Sequence, residues 1–408
     1  MKRIVYREWR ITPQRYWGLL AVLAAVAGIG GLAALYMEHQ GHWVTGMTNQ
    51  VVWGTPHIFA VFLIVAASGA LNVASIGTVF GKTMYKPLGR LSGLLAVALL
   101  AGGLLVLVLD LGRPDRLIVA MTTYNFRSIF AWNIFLYTGF MAVVIAYLWT
   151  MAERMGNPYS KHVGFFAFVW RLLLTTGTGS IFGFLVARQA YDTAILAPMF
   201  IAMSFSFGLA IFMLVLMFAF EEDGRPIGEA LLSRLKNLLA VFIGGVLFFT
   251  FVYFITKLYG AKNYDLVSFY LLNGGTYTFV FWVGWILAGS LVPLGIIFHP
   301  VHSKERSWLA SACGLVILGG FASMYVIIIG GQAYPMQLFP DQTIIASGFF
   351  DGVGGAPAHY APSLPELLLG LGGVAVAMLI TAVGVRMLQF LPESLDDQTV
   401  DPHAVAKA

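Results

Sequence analysis

The sequence predicts an all-α integral membrane protein with about ten transmembrane helices and both termini in the cytoplasm. Three observations carry that expectation: an apolar composition, apolar runs of spanning length from end to end, and a lopsided distribution of basic residues. Of 408 residues, 59% are hydrophobic and 11% charged, with a mean hydropathy of +0.81. Soluble domains carry roughly 25% charged residues, so this chain has too few to cover a water-facing surface. One spanning helix needs about 20 apolar residues. The chain reads as a single polytopic membrane domain over 1–408 with short tails.

The start, MKRIVYREWR before an apolar stretch at 17–37, has the charge order of a signal peptide. The stretch exceeds a usual signal core and further spans follow, which predicts an uncleaved first helix. The remaining spans are expected at 53–81, 91–111, 128–151, 163–187, 195–220, 238–258, 276–298, 307–330 and 366–389. Glycines inside them, such as Gly69, Gly102 and Gly179, suit close helix contacts. The largest loop, about 331–365, holds GQAYPMQLFPDQ and DGVGGAPAHYAPS. A loop of that length is expected to pack against the rest of the chain.

Orientation follows from the basic residues. With a cytoplasmic N-terminus, seventeen of the 24 Lys and Arg fall on the inner side and six on the outer side, as the positive-inside rule requires. The net charge of +5 does not imply nucleic acid, because the basic residues sit at span ends instead of forming one patch. A single cysteine, Cys313, excludes a disulfide framework, an iron–sulfur cluster and a cysteine zinc site. Of eight histidines only His57 enters a span, whereas a bis-histidine haem needs two facing each other. No haem, cluster or other metal is therefore expected on this chain.

Charged groups at or within spans are costly and raise a functional question each time. His57 opens the second span in VVWGTPHIFAVFLIV, and Asp110 closes the third in LVLVLDLGRPDR. Tyr124, Asn125 and Arg127 precede the fourth; Arg188, Tyr191 and Asp192 follow the fifth. In the predicted topology all lie at one depth on the outer side. Interfacial anchoring is the plainer explanation for Arg113, Arg116 and Arg127, together with contact to a partner protein. Asp110 has two readings: an ion pair with Arg113, or proton transfer. His57, placed after Pro56 at the head of an apolar run, reads as a ligand. Arg171 and Glu221 fit either structure or proton conduction.

At LDLGRPDR, Leu109 to Arg116, and at Trp53 to His57 (WG-x-x-H), the chain resembles the NrfD-like family of haem-free membrane subunits, which includes polysulfide reductase membrane subunits. The ten-span layout with YAPSLPELLLGLGG before the last helix looks like its longer, hydrogenase-associated branch, and TTYNFRSIFAWNIFLYTGF, Thr122 to Phe140, is most similar to the DsrP branch, quinone-interacting subunits of Dsr sulfur-metabolism complexes. The resemblance implies a bacterial or archaeal cytoplasmic membrane protein that binds quinone or quinol (menaquinone or ubiquinone) near the outer face. It would exchange electrons with a periplasmic ferredoxin-like iron–sulfur subunit, within a quinone-linked oxidoreductase complex of sulfur-compound metabolism. It implies His57 as a quinone contact. The asparagine that relatives carry one turn earlier is replaced here by Gly54; Tyr191 and Arg188 are the candidates for the remaining headgroup contacts. A histidine can donate to a carbonyl oxygen or take a proton from a quinol, and Asp110 could relay that proton to water.

A hydrogenase-type quinone-reducing subunit is the nearest alternative. A secondary transporter is a more distant one, since transporters place ionisable groups near the midplane, often in paired repeats, and this sequence has neither feature. A structural anchor for soluble redox subunits is a third. Reporter fusions test the shared framework: those in the Lys86 loop should read cytoplasmic and those near His359 periplasmic. A periplasmic signal from the Lys86 loop would overturn the common depth of His57 and Asp110.

Overall fold

The computed structural model describes residues 4–336 and 357–400. Ten of its helices are long and apolar enough to cross a membrane: α1 Pro13–Gln40, α2 Thr55–Thr78, α3 Thr83–Leu109, α4 Ile129–Ala152, α5 Asn157–Gly183, α6 Leu196–Glu222, α7 Glu229–Tyr259, α8 Thr276–Phe298, α9 Arg306–Ala333 and α10 Leu364–Met387. All ten expected spans are present. The largest shift is at α7, which starts well before its apolar stretch. No Gly or Pro interrupts the chain between Gly228 and that stretch, so the helix extends beyond the apolar region, where the Lys236 ammonium donates to the Ser303 carbonyl at 3.0 Å.

Burial ranks the helices. In the most apolar stretch of α2, 94% of residues are buried, against 17% for α1. The α2 helix packs against α3, α5, α6, α9 and α10, which makes it the axis of the bundle. Lipid is as apolar as leucine, so close van der Waals fit has to hold such helices together. The α2–α6 crossing shows the device: a Cβ at Gly69 would run into the Ser204 carbonyl, and one at Gly208 into the Gly69 backbone.

Arg171, on α5, is fully buried. Its guanidinium donates to Asn72 Oδ1 at 2.8 Å and to the Ser68 carbonyl at 3.4 Å, and lies over the Phe168 and Phe205 rings at 4.8 and 4.9 Å. The hydrogen bonds tie α5 to α2, and the Phe205 ring face ties it to α6. Cys313 is buried and unbonded in α9, as a small packed residue.

The peripheral helices α1 and α10 pack on each other, and α10 also packs on α3 and α2. Two short strands, β1 Tyr6–Arg7 and β2 Leu391–Pro392, pair antiparallel and join the two tails. Arg225, in the turn between α6 and α7, donates to the carbonyls of Glu8 and Pro392 and pairs with Asp223 at 2.6 Å. The tails had no such structure in the hydropathy pattern, which records burial in lipid and is silent on short pairings.

The segment between α3 and α4 turns at Gly112 (φ 68°) and forms a short helix at Leu117–Thr122. Of the large loop expected at 331–365, residues 337–356 lie outside the described residues.

Candidate functional site

The site is built on the amino end of α2. The first N–H groups of a helix have no partner inside it, and here they are buried without a side-chain cap from the preceding residue. The His57 N–H turns back to the Gly54 carbonyl at 3.2 Å; for Thr55 and for the segment that leads into α2, partners come from far along the chain. Gln332, at the end of α9 and 1% exposed, accepts at Oε1 from the Val52 and Trp53 N–H groups, both at 3.0 Å. Its amide donates to the Trp53 and Ile328 carbonyls. The Thr55 N–H donates to the Tyr360 hydroxyl at 2.7 Å, and that hydroxyl donates to Glu366 Oε1 at 2.7 Å.

Glu366 heads α10 and is fully buried. Its Oε2 accepts from the Ser363 N–H at 2.7 Å and the Gly46 N–H at 2.9 Å, so one carboxylate serves α10's own first turn, the segment before α2 and Tyr360. Burial holds the Tyr360 phenol well above its usual range, against the lowering effect of the Thr55 hydroxyl. It therefore stays protonated and able to donate. Gly54 follows from this arrangement. A Cβ there would run into Glu366 Oε1 and come within 2.9 Å of the Tyr360 hydroxyl, so the asparagine expected from the resemblance has no room.

One turn on, His57 Nδ1 lies 2.8 Å from Asp110 Oδ2, with side-chain exposures of 19% and 1%. The approach is close but not aligned: neither Asp110 oxygen, nor His57 Nδ1, has a well-directed hydrogen bond among the described residues. An ion pair of Asp110 with Arg113 does not form, because the Gly112 turn carries Arg113 away to Asp115, at 3.1 Å on the surface. The His57 ring sits beside Trp53, with centroids 6.2 Å apart. Trp53 in turn contacts Phe130, Phe182 and Tyr191. The result is an acid–base pair next to an aromatic wall.

Arg188 and Tyr191 lie behind that wall. Arg188 donates to the Gln332 and Gln50 carbonyls at 2.7 and 2.8 Å, and Tyr191, 1% exposed, donates to the Ile328 carbonyl at 2.6 Å. Arg127 and Asn125 are exposed, and Tyr124 stacks near Phe126 and Phe135. Glu221 is exposed at the far end of α6. No group of three potential metal-ligating side chains occurs among the described residues. Sequence reasoning missed Gln332, Tyr360 and Glu366. The one available signal was Ser363-Leu-Pro-Glu366, the spacing of a capping box.

The hydrogen-bond chain makes a stability prediction. Tyr360→Phe removes the acceptor for the Thr55 N–H and a donor to Glu366, at a cost of about 1–3 kcal/mol. The purified protein should melt several degrees lower by intrinsic fluorescence; an unchanged melting temperature would show that other groups hold the start of α2.

Comparison with known proteins agrees with this architecture. The family model "Polysulphide reductase, NrfD" matches residues 43–336. The chain is 28% identical to the Hdr-like menaquinol oxidoreductase integral membrane subunit of Archaeoglobus fulgidus, covering 95% of this chain and 96% of that one. It is 23% identical to a selenate reductase subunit of Mesobacillus selenatarsenatis, covering 91% and 93%. It is 24% identical to a polysulfide reductase polypeptide of Wolinella succinogenes, covering 70% of this chain and 96% of the relative. With more than half of its length matched by the family model and ten spanning helices, the chain is a multi-pass membrane protein that belongs to the NrfD family.

Proposed function

We propose that this chain is the quinone- or quinol-reactive membrane subunit of a respiratory redox complex. The observation that carries the reading is the His57–Asp110 contact at 2.8 Å, with Asp110 almost wholly buried and an aromatic wall alongside. One relative is named as a menaquinol oxidoreductase subunit, which supports the quinone class, and another is named for polysulfide reductase. The residues also suit the ligand chemically. A quinone headgroup is a flat ring with two oxygens, and a ring face such as Trp53 beside a hydrogen-bonding imidazole matches both features.

With Nδ1 towards Asp110, His57 presents Nε2 to a quinone oxygen. In the quinol direction Nε2 accepts the hydroxyl proton, the Asp110 carboxylate stabilises the resulting imidazolium, and the Nδ1 proton is positioned to pass to Asp110. The quinone supplies the two-electron chemistry. Tyr191 and Arg188 join the site through the Trp53 segment that they and Gln332 hold in place. The same end of the bundle faces the periplasm in this reading, and both termini face the cytoplasm. Electrons are exchanged there with a ferredoxin-like iron–sulfur subunit. The exposed surface around Leu111, Arg113, Ile118, Val119 and Phe126 combines apolar and basic character suited to such a partner. The DsrP-like stretch from Thr122 to Phe140 supports sulfur-compound metabolism as the setting.

The test is substitution in the intact complex. His57→Ala should leave subunit content unchanged and cut quinol-analogue turnover by roughly 10²–10⁴-fold, with weaker analogue binding from the lost hydrogen bond. Asp110→Asn should keep analogue affinity and slow turnover, because the amide preserves shape but relays no proton. Near wild-type turnover in fully assembled His57→Ala would remove His57 from the site.

A further inference from the structure

Beyond the His57–Asp110 pair, we propose that the proton route continues through an open cleft beside Asp110 and that His42 is the acid–base group at its rim. The inference rests on the quinone-site reading above. The cleft has a volume of about 550 Å³ and is lined by His42, Thr48, Asn49 and Asp110 among its polar residues. Two features mark it as more than a surface recess. Asp110 Oδ2 faces His57 Nδ1, but Asp110 Oδ1 and the Nε2 atom of His42 are buried and lack a hydrogen-bond partner among the described residues. Buried polar groups are normally satisfied, so two unsatisfied, titratable side chains lining one cleft call for an explanation.

The local backbone holds the imidazole there. His42 opens a single turn, His42–Val44, that follows α1 after Gly41. The Thr45 hydroxyl donates to the His42 carbonyl at 2.6 Å. Gly112, the residue after Leu111 in the turn that ends α3, packs under the ring: a Cβ there would stand 3.3 Å from His42 Nε2. The imidazole is thus lodged against the very turn that begins at Asp110, while the cleft stays open to solvent.

The surroundings leave few other proton carriers. Glu38 and His39 lie on the last turn of α1, and Arg113 is paired with Asp115. A second recess, which touches Leu109 and Pro114, has a volume of about 490 Å³ and is walled by Gly28, Gly31, Leu32 and Leu35, with Glu38 its one titratable residue. It offers a proton no chain of groups. The proposed step balances simply: protonated Asp110 loses its proton, through cleft water, to neutral His42, which yields it to bulk water. No electron moves in it.

The experiment uses the native complex with His42→Ala and, to keep the cleft filled, His42→Gln. Three quantities are read: kcat and KM for a quinol analogue, calorimetric binding of the corresponding quinone, and recovery of kcat on adding imidazole, which is small enough for the cleft. Both variants should lose about 10²-fold in kcat, the low end for a positioned acid–base group, with KM and quinone affinity unchanged and imidazole restoring turnover in His42→Ala. Wild-type kcat in both variants, or a loss that imidazole leaves in place in the assembled complex, would overturn the role of His42. Absence of quinol turnover in the wild-type complex would instead overturn the quinone-site reading on which it rests.

Discussion

The chain enters α2 through Gly54 and Thr55, which are buried, and the N–H groups along this entry need partners within the protein. Inside a membrane protein an unsatisfied backbone group costs several kcal/mol, so this constraint dictates much of the surrounding structure. Gln332 reaches it from the end of α9, Tyr360 and Glu366 from the start of α10, and Arg188 braces Gln332 from the turn after α5. Distant segments converge on the entry to one helix, from Gln50 to Thr55. His57 is on the first turn of that helix, so its position and its approach to Asp110 are consequences of the same arrangement.

The arrangement also explains how the chain extends its family core. The family model spans 43–336, which leaves α1 and α10 outside it. These helices are not passive additions. Glu366 of α10 binds the segment before α2, and the Tyr360–Glu366 pair fills the space beside Gly54. The Archaeoglobus relative aligns over 95% of this chain, whereas the Wolinella relative aligns over 70%. In this chain, part of the support for the shared core comes from sequence beyond it.

The legible part of the structure is what composition and spacing encode directly. Ten apolar runs become ten helices because the bilayer fixes their length. His57 and Asp110 could be placed at one depth from topology alone, since each sits at a span end on the same side. Their contact could not be read, because the Gly112 turn that removes Arg113 from competition is a backbone event. Gln332 lies 279 positions from Trp53, with which it bonds, and one polar residue in an apolar helix end gives no hint of its partner. Glu366 had a visible capping pattern, but that pattern explains one of its three bonded groups. The tail strands were invisible for a different reason: a two-residue pairing leaves no periodicity to detect.

The central claim is that a quinone headgroup meets the protein at the His57–Asp110 pair. The most direct measurement is photolabelling of the intact complex with an azido-quinone, followed by peptide mapping by mass spectrometry. Label should concentrate on the segments around Trp53–Phe59 and Val108–Leu111, and excess unlabelled quinone should suppress it. Suppressible label confined to another part of the bundle, or to other subunits, would contradict the claim.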